Sequence, residues 1–265
     1  MNAMEITATS GERRIGSSKI LGMRVDATSY DDALIDILRW VAASESRFVC
    51  ASSVHMVMEA HYSSDFRQIL NSADLITPDG MPLVWTLKYL LGHSEQTRVY
   101  GPDLTLVVLK AAAEHGIPVG FFGGRPEVLE LVVEKSKARF LGLSVVYAES
   151  PPFRPFTDED HARTIAAIQA SGAKILFVGI GCPKQERWMF QMRGRISTVM
   201  LGVGAAFDFI AGTTPQAPRW MMKSGLEWFF RVLSEPRRLW KRYFIVNPQF
   251  LGLLFLQVTG MKRFD

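Results

Sequence analysis

Short runs rich in Val, Ile and Phe recur along the chain, at residues 20–25, 48–51, 75–77, 119–122, 143–147, 175–178 and 199–203. Most are continuously apolar rather than alternating, which is the pattern of strands buried on both faces. Helix-length segments separate them. In residues 125–140, Val128, Leu129, Val132 and Val133 share one helical face, and Pro126 sits where a first turn tolerates proline. This alternation predicts an α/β fold: a single Rossmann-like domain with a mostly parallel sheet and helices on both faces. Right-handed crossovers then gather the loops that follow the strands at one edge, where a ligand crevice forms. That expectation brings residues 77–80, Gly123 and Gly124, residues 179–184 and residues 202–208 together.

The pattern changes at residue 212. Strand-like runs stop, and Pro215, Pro218, Pro236 and Pro248 punctuate helical pieces rich in Trp, Phe, Leu and Arg. The net charge of the 265 residues is +4, but residues 212–265 hold nine Lys/Arg against three Asp/Glu, so the remainder is slightly acidic. Local positive charge among aromatics points to an anionic partner. The apolar stretch 250–258 favours a membrane surface over nucleic acid, because it offers lipid-facing side chains and no further charge to track a strand. Three regions follow: a loose polar tail at 1–18 without the apolar stretch of a secretion signal, a Rossmann-like domain at 19–211, and a basic helical appendage at 212–265. If the appendage docks at a membrane, a chain cut before Gly212 leaves a soluble domain. Cys50 and Cys182 lie far apart and fit a reducing compartment. With 48% apolar and 21% charged residues, composition excludes a disordered chain or a disulfide scaffold.

Four loops carry chemistry. Asp79, between Pro78 and Gly80, follows a strand-like run. It reads either as the cap of a helix starting near Pro82 or as a carboxylate able to take a proton from an attacking hydroxyl. The pairs Gly179/Gly181 and Gly202/Gly204 invite a dinucleotide reading, but their sixth positions are Lys184 and Phe207, so neither completes the Gly-rich fingerprint. Pro183 predicts a helix start that sets Lys184 and Gln185 beside free N–H groups, ready for an anion or a sugar hydroxyl. Asp158-Glu159-Asp160 matches a metal-binding pattern formally, yet Thr157 as N-cap with acids in the first turn explains it. The histidines show no zinc-ligand spacing, and no metal is expected.

Taken in order, Thr77-Pro78-Asp79-Gly80-Met81-Pro82, Arg98-Val99-Tyr100-Gly101-Pro102-Asp103, Phe121-Phe122-Gly123-Gly124, Gly179 through Glu186, Gly202 through Asp208, and Gly225 through Arg231 with Glu235 through Tyr243 resemble the WecG/TagA/CpsF glycosyltransferases. The resemblance implies an inverting, metal-independent transfer of a sugar from a UDP-sugar (N-acetylmannosamine, its uronic acid, or glucose) to a polyprenyl-diphosphate-linked sugar, with no cofactor. It implies a cytoplasmic enzyme, peripheral on the inner face of the cell membrane, whose appendage completes the active site. By resemblance the base falls on Asp79, the active-site glutamine on Gln185, the nucleotide-side aspartate on Asp208, and appendage cations on Arg231, Arg238 and Lys241. Arg242 joins that basic group, and Arg98, Asp103, Gly123, Gly124, Gly179, Lys184 and Gly204 are substrate-side candidates. The family's Thr-x-Asn element reads Ala51-Ser52-Ser53 here, leaving Ser53 as the donor-side residue and the sugar open. The competing functions are a dinucleotide-dependent oxidoreductase and a non-catalytic nucleotide-binding membrane module.

Overall fold

The computed structural model describes residues 16–264; residues 1–15 of the tail expected at 1–18 lie outside the described residues, as does the side chain of Arg238, while Ser17 and Ser18 of that tail belong to the first strand. The chain opens with an antiparallel hairpin, β1 (Ser17–Ile20) and β2 (Met23–Asp26). The run at 20–25 is therefore not one strand. Leu21 and Gly22 both take positive φ, 50° and 84°, and a two-residue turn of that hand matches the twist of a hairpin.

Six parallel strands follow: β3 (Arg47–Ser52), β4 (Leu75–Pro78), β5 (Val119–Gly123), β6 (Val145–Glu149), β7 (Ile175–Gly179) and β8 (Val199–Gly202), in the order β4-β3-β8-β7-β5-β6. The mixed α/β class with a parallel sheet and a helical C-terminal segment is the one the alternation predicts. The expected strand at 143–147 begins two residues later. Gly142 turns the chain at φ 83°, and Leu143 closes that turn through its N–H to the Phe140 carbonyl. As an edge strand, β6 is covered on fewer sides, and Val146 is exposed.

Helices cover both faces. On one lie α1 (Tyr30–Ala42), α5 (Gly101–Glu114), α6 (Pro126–Arg139) and α9 (Ala206–Ala211), packed with Phe121, Phe177 and Leu201. On the other lie α2 (Val54–Tyr62), α3 (Ser64–Asn71) and α8 (Lys184–Met192), packed with Phe122, Leu176 and Met200. Neighbouring strand residues point to opposite faces, so Phe121 stacks on Phe177 at 5.4 Å while Phe122 stacks on Trp188 at 4.3 Å. Beyond β4, α4 (Met81–Trp85) runs into a π-helical turn, Thr86–Leu90. α7 (Asp158–Ser171) starts with a capping box in which Thr157 and Asp160 exchange bonds, the role assigned to that acidic cluster.

The C-terminal segment is α10 (Arg219–Lys223), α11 (Glu227–Ser234), α12 (Pro236–Lys241), a π-helical turn (Arg242–Val246) and α13 (Asn247–Val258). Its last helix is not a free appendage. Phe250 and Leu254 are buried in the core beneath α2. Gln257 accepts from the Leu21 N–H at 2.8 Å and donates to the Lys19 carbonyl at 2.8 Å, clamping α13 to the hairpin. Among the described residues, no helix is long and apolar enough to cross a membrane.

Candidate active site

A cleft of about 1340 Å³ opens where the loops after β3, β4, β5, β7 and β8 meet. Ser53, Asp79, Gly124, Gly179, Lys184, Gln185, Gly204 and Asp208 line it from the sheet edge, and Arg231, Lys241 and Arg242 close it from the C-terminal segment. The four loops predicted to converge do so. Arg98, Asp103 and Gly123 do not line the cleft.

Asp79 is set by three neighbouring segments. The N–H groups of Asp79 and Gly80 both donate to the Ser52 carbonyl, at 2.9 and 3.1 Å, pinning the turn after β4 to the end of β3. α4 starts beyond it with Gly80 as N-cap and no side-chain cap, so Asp79 does not cap that helix. Its carboxylate turns to α5 instead. Oδ2 accepts from the Gly101 N–H at 2.9 Å, satisfying one of the free donors at that helix start. A Cβ at position 101 would stand 3.1 Å from Oδ2, so glycine there permits the approach.

The second oxygen meets Arg98. Arg98 Nη2 donates to Asp79 Oδ1 at 3.3 Å, and its Nε donates to the Asp79 carbonyl. The opposite side of the guanidinium reaches Glu227 Oε2 at 2.7 Å. Glu227 also accepts from the Tyr100 hydroxyl at 3.2 Å, and the Arg98 guanidinium lies over the Tyr100 ring at 4.0 Å. Arg98 thus acts behind Asp79 rather than in the cleft, and it ties α11 to the β4 loop. The Asp79 side chain remains 18% exposed toward the cleft. Burial pushes its carboxyl above the ordinary value; Arg98 and the Gly101 N–H work against that rise.

Gln185 is locked at both ends of its carboxamide. Its Oε1 accepts from the Gly181 N–H at 3.2 Å, and its Nε2 donates to Glu186 Oε1 at 2.7 Å. Lys184 and Gln185 are the first two residues of α8, with Pro183 just outside as N-cap. Glu186 is fully buried behind them, and its second oxygen has no hydrogen-bond partner. Burial raises its pKa to about 7. No local motif flags this residue, because its state depends on what covers α8.

On the opposite wall, Arg242 Nη2 donates to Ser53 Oγ at 2.8 Å. The serine at the departed position thereby anchors the C-terminal segment. His55, two residues on, is held largely neutral; burial first and the Arg242 charge second push its pKa down to about 4. Arg231 lies over Phe209 at 5.7 Å. Asp103 is engaged elsewhere: Arg219 grips it at 2.7 and 3.3 Å, bridging α10 to α5.

The glycine pairs serve packing as much as access. A Cβ on Gly123 would strike the Gly179 backbone at 2.5 Å, and one on Gly179 would strike the Phe207 ring at 2.8 Å. Phe207, the residue that interrupts the dinucleotide fingerprint, fills the space beside Gly179 and Gly124. Among the described residues, no three His, Cys, Asp or Glu side chains are grouped to hold a metal ion.

A parallel sheet with a roomy cleft at its C-terminal edge defines the Rossmann-like α/β class. Residues 18–263 match the Glycosyl transferase WecG/TagA/CpsF family, and the chain belongs to that family. It is a glycosyltransferase, taking a sugar from a nucleotide-sugar donor to an acceptor.

Proposed function

We propose that the protein transfers a sugar from a UDP-sugar to a polyprenyl-diphosphate-linked sugar at the cytoplasmic face of the cell membrane, with inversion and without a metal. The observation that carries this reading is the setting of Asp79: a carboxylate fixed by Gly101 and Arg98 at the rim of a cleft whose far wall is basic.

An acceptor hydroxyl attacks the anomeric carbon from the side opposite the diphosphate. Asp79 takes its proton, and the raised affinity of its carboxyl for protons suits that role. Charge gathers on the departing UDP. Arg231 supplies fixed positive charge for it, in place of a divalent ion, while Lys241 and Arg242 are left to the diphosphate of the acceptor. Gln185 and Lys184 at the start of α8, with Asp208 in the first turn of α9, are the groups to orient donor sugar and nucleotide. The exposed aromatics Trp220, Trp228, Phe229 and Trp240 on the C-terminal helices fit contact with a bilayer that holds the acceptor.

The test is product mass after a panel of UDP-sugars is offered with a lipid-diphosphate-linked sugar, with and without chelator. Wild-type protein forms one product unaffected by chelator, and Asp79→Asn lowers turnover by ~100- to 10,000-fold. Near-normal turnover in Asp79→Asn removes Asp79 from the role, and loss of turnover in chelator removes the metal-free mechanism.

A further inference from the structure

A second cavity, of about 380 Å³, lies between α4, the Thr86–Leu90 turn and α13. Its walls are Val54, Trp85, Leu90, Phe250, Leu251 and Leu254. Thr86 is also on the wall, but its hydroxyl donates to the Pro82 carbonyl at 2.8 Å and offers a ligand little. The cavity is therefore a mainly apolar slot, within the size range of small-molecule pockets.

Its position selects the occupant. Val54 on its wall follows Ser53 of the cleft, and Asn247 on its wall follows Val246 of the cleft. Arg242, bonded to Ser53, stands on the cleft side of that boundary with Lys241 beside it. Moving outward from Asp79, the surface thus runs from a carboxylate to cations to an apolar slot. A sugar, a diphosphate and a hydrocarbon chain joined in that order match it in charge and polarity. Leu90, Tyr89, Leu251 and Phe255 are exposed around the slot, so a longer chain leaves it over apolar surface.

We propose that this slot binds the first isoprene units of the lipid-diphosphate acceptor. The proposal rests on the acceptor class proposed above and adds a separate site for the chain. The slot then fixes the acceptor in register, so that chain binding contributes to affinity even away from a membrane.

The test uses soluble acceptors without vesicles. They share one sugar diphosphate and carry either a methyl group, too short to reach the slot, or three isoprene units. Leu90 and Leu251 are 49% and 58% exposed, so Leu90→Glu and Leu251→Trp alter the slot without opening the core. Each buried methylene changes affinity about fourfold, so wild-type KM falls by at least about tenfold from the short to the long chain. Both variants lose that gain and keep wild-type kcat/KM on the short chain. A wild-type enzyme indifferent to chain length, or variants that keep the full gain, overturns the proposal.

Equilibrium binding separates this from the acceptor reading. If no lipid-diphosphate sugar is turned over, the acceptor reading fails; the slot still stands if farnesyl diphosphate binds at least about tenfold tighter than inorganic diphosphate and Leu251→Trp erases the difference. Equal binding of the two overturns it. Dimerisation abolished by Leu251→Trp, with farnesyl diphosphate binding unchanged, also overturns it by assigning the slot to a second copy.

Discussion

Glu227 and Asp79 share one arginine: Arg98 lies 2.7 Å from the first and 3.3 Å from the second, and so joins the C-terminal segment to the carboxylate proposed as the base. The negative charge of Glu227 also raises the proton affinity of Asp79. The segment does more than close the cleft. It tunes the acid behind it.

Glu227→Gln is expected to keep the fold and shift the pH dependence of kcat/KM. Activity rises with pH as Asp79 loses its proton. Removing the Glu227 charge lowers the pKa of Asp79, so that acid limb moves to lower pH, while Asp79→Asn abolishes it. Losing one charge-assisted bond costs about 1.5–3 kcal/mol of stability. A pH–rate profile identical to wild type contradicts the coupling.

Glu186 sets a stability window. Its pKa is raised from 4.5 to about 7 in the folded chain, so between those values only the folded protein holds the proton. Stability from this group is complete in acid and is lost as pH rises through the window, by on the order of 3 kcal/mol. Glu186→Gln keeps an acceptor for Gln185 and removes the titration. Denaturation midpoints at pH 5 and pH 8 are expected to differ less than in wild type, with the variant the more stable at pH 8.

Cutting the chain before Gly212 is expected to destabilise it rather than release an intact domain. Phe250 and Leu254 leave the core, and losing each large buried side chain costs about 2–5 kcal/mol. Leu21 and Lys19 also lose Gln257. Thermal denaturation of the truncated chain checks this; an unchanged melting temperature contradicts it.

Gly179→Ala is expected to cost about 1–3 kcal/mol by overpacking against Phe207. Phe207→Leu in the same chain relieves the clash. Urea unfolding of the single and double variants measures the coupling, and additivity of the two changes contradicts it.

The parallel α/β frame was legible because period and composition report burial locally: Phe121 and Phe122 lie in one apolar run whatever they stack on. The hairpin at 17–26 was hidden because Leu21 takes a left-handed conformation that leucine does not advertise. Asp79 stood out from its loop chemistry. Arg98 and Asp103 were singled out with it, but which guanidinium meets which carboxylate depends on how α10 and α11 lie across α5.

The sequence by itself determined that a parallel α/β frame forms, which loops follow most of its strands, and hence that a crevice forms at one edge, since these are consequences of local pattern and chain chirality. Only the tertiary structure decided that α13 completes the core, that Glu227 reaches Arg98, that Glu186 is buried with a raised pKa, and that a mainly apolar slot abuts the basic wall. Those facts join residues far apart in the chain. Contact and burial at that separation are set by packing, which no local pattern encodes.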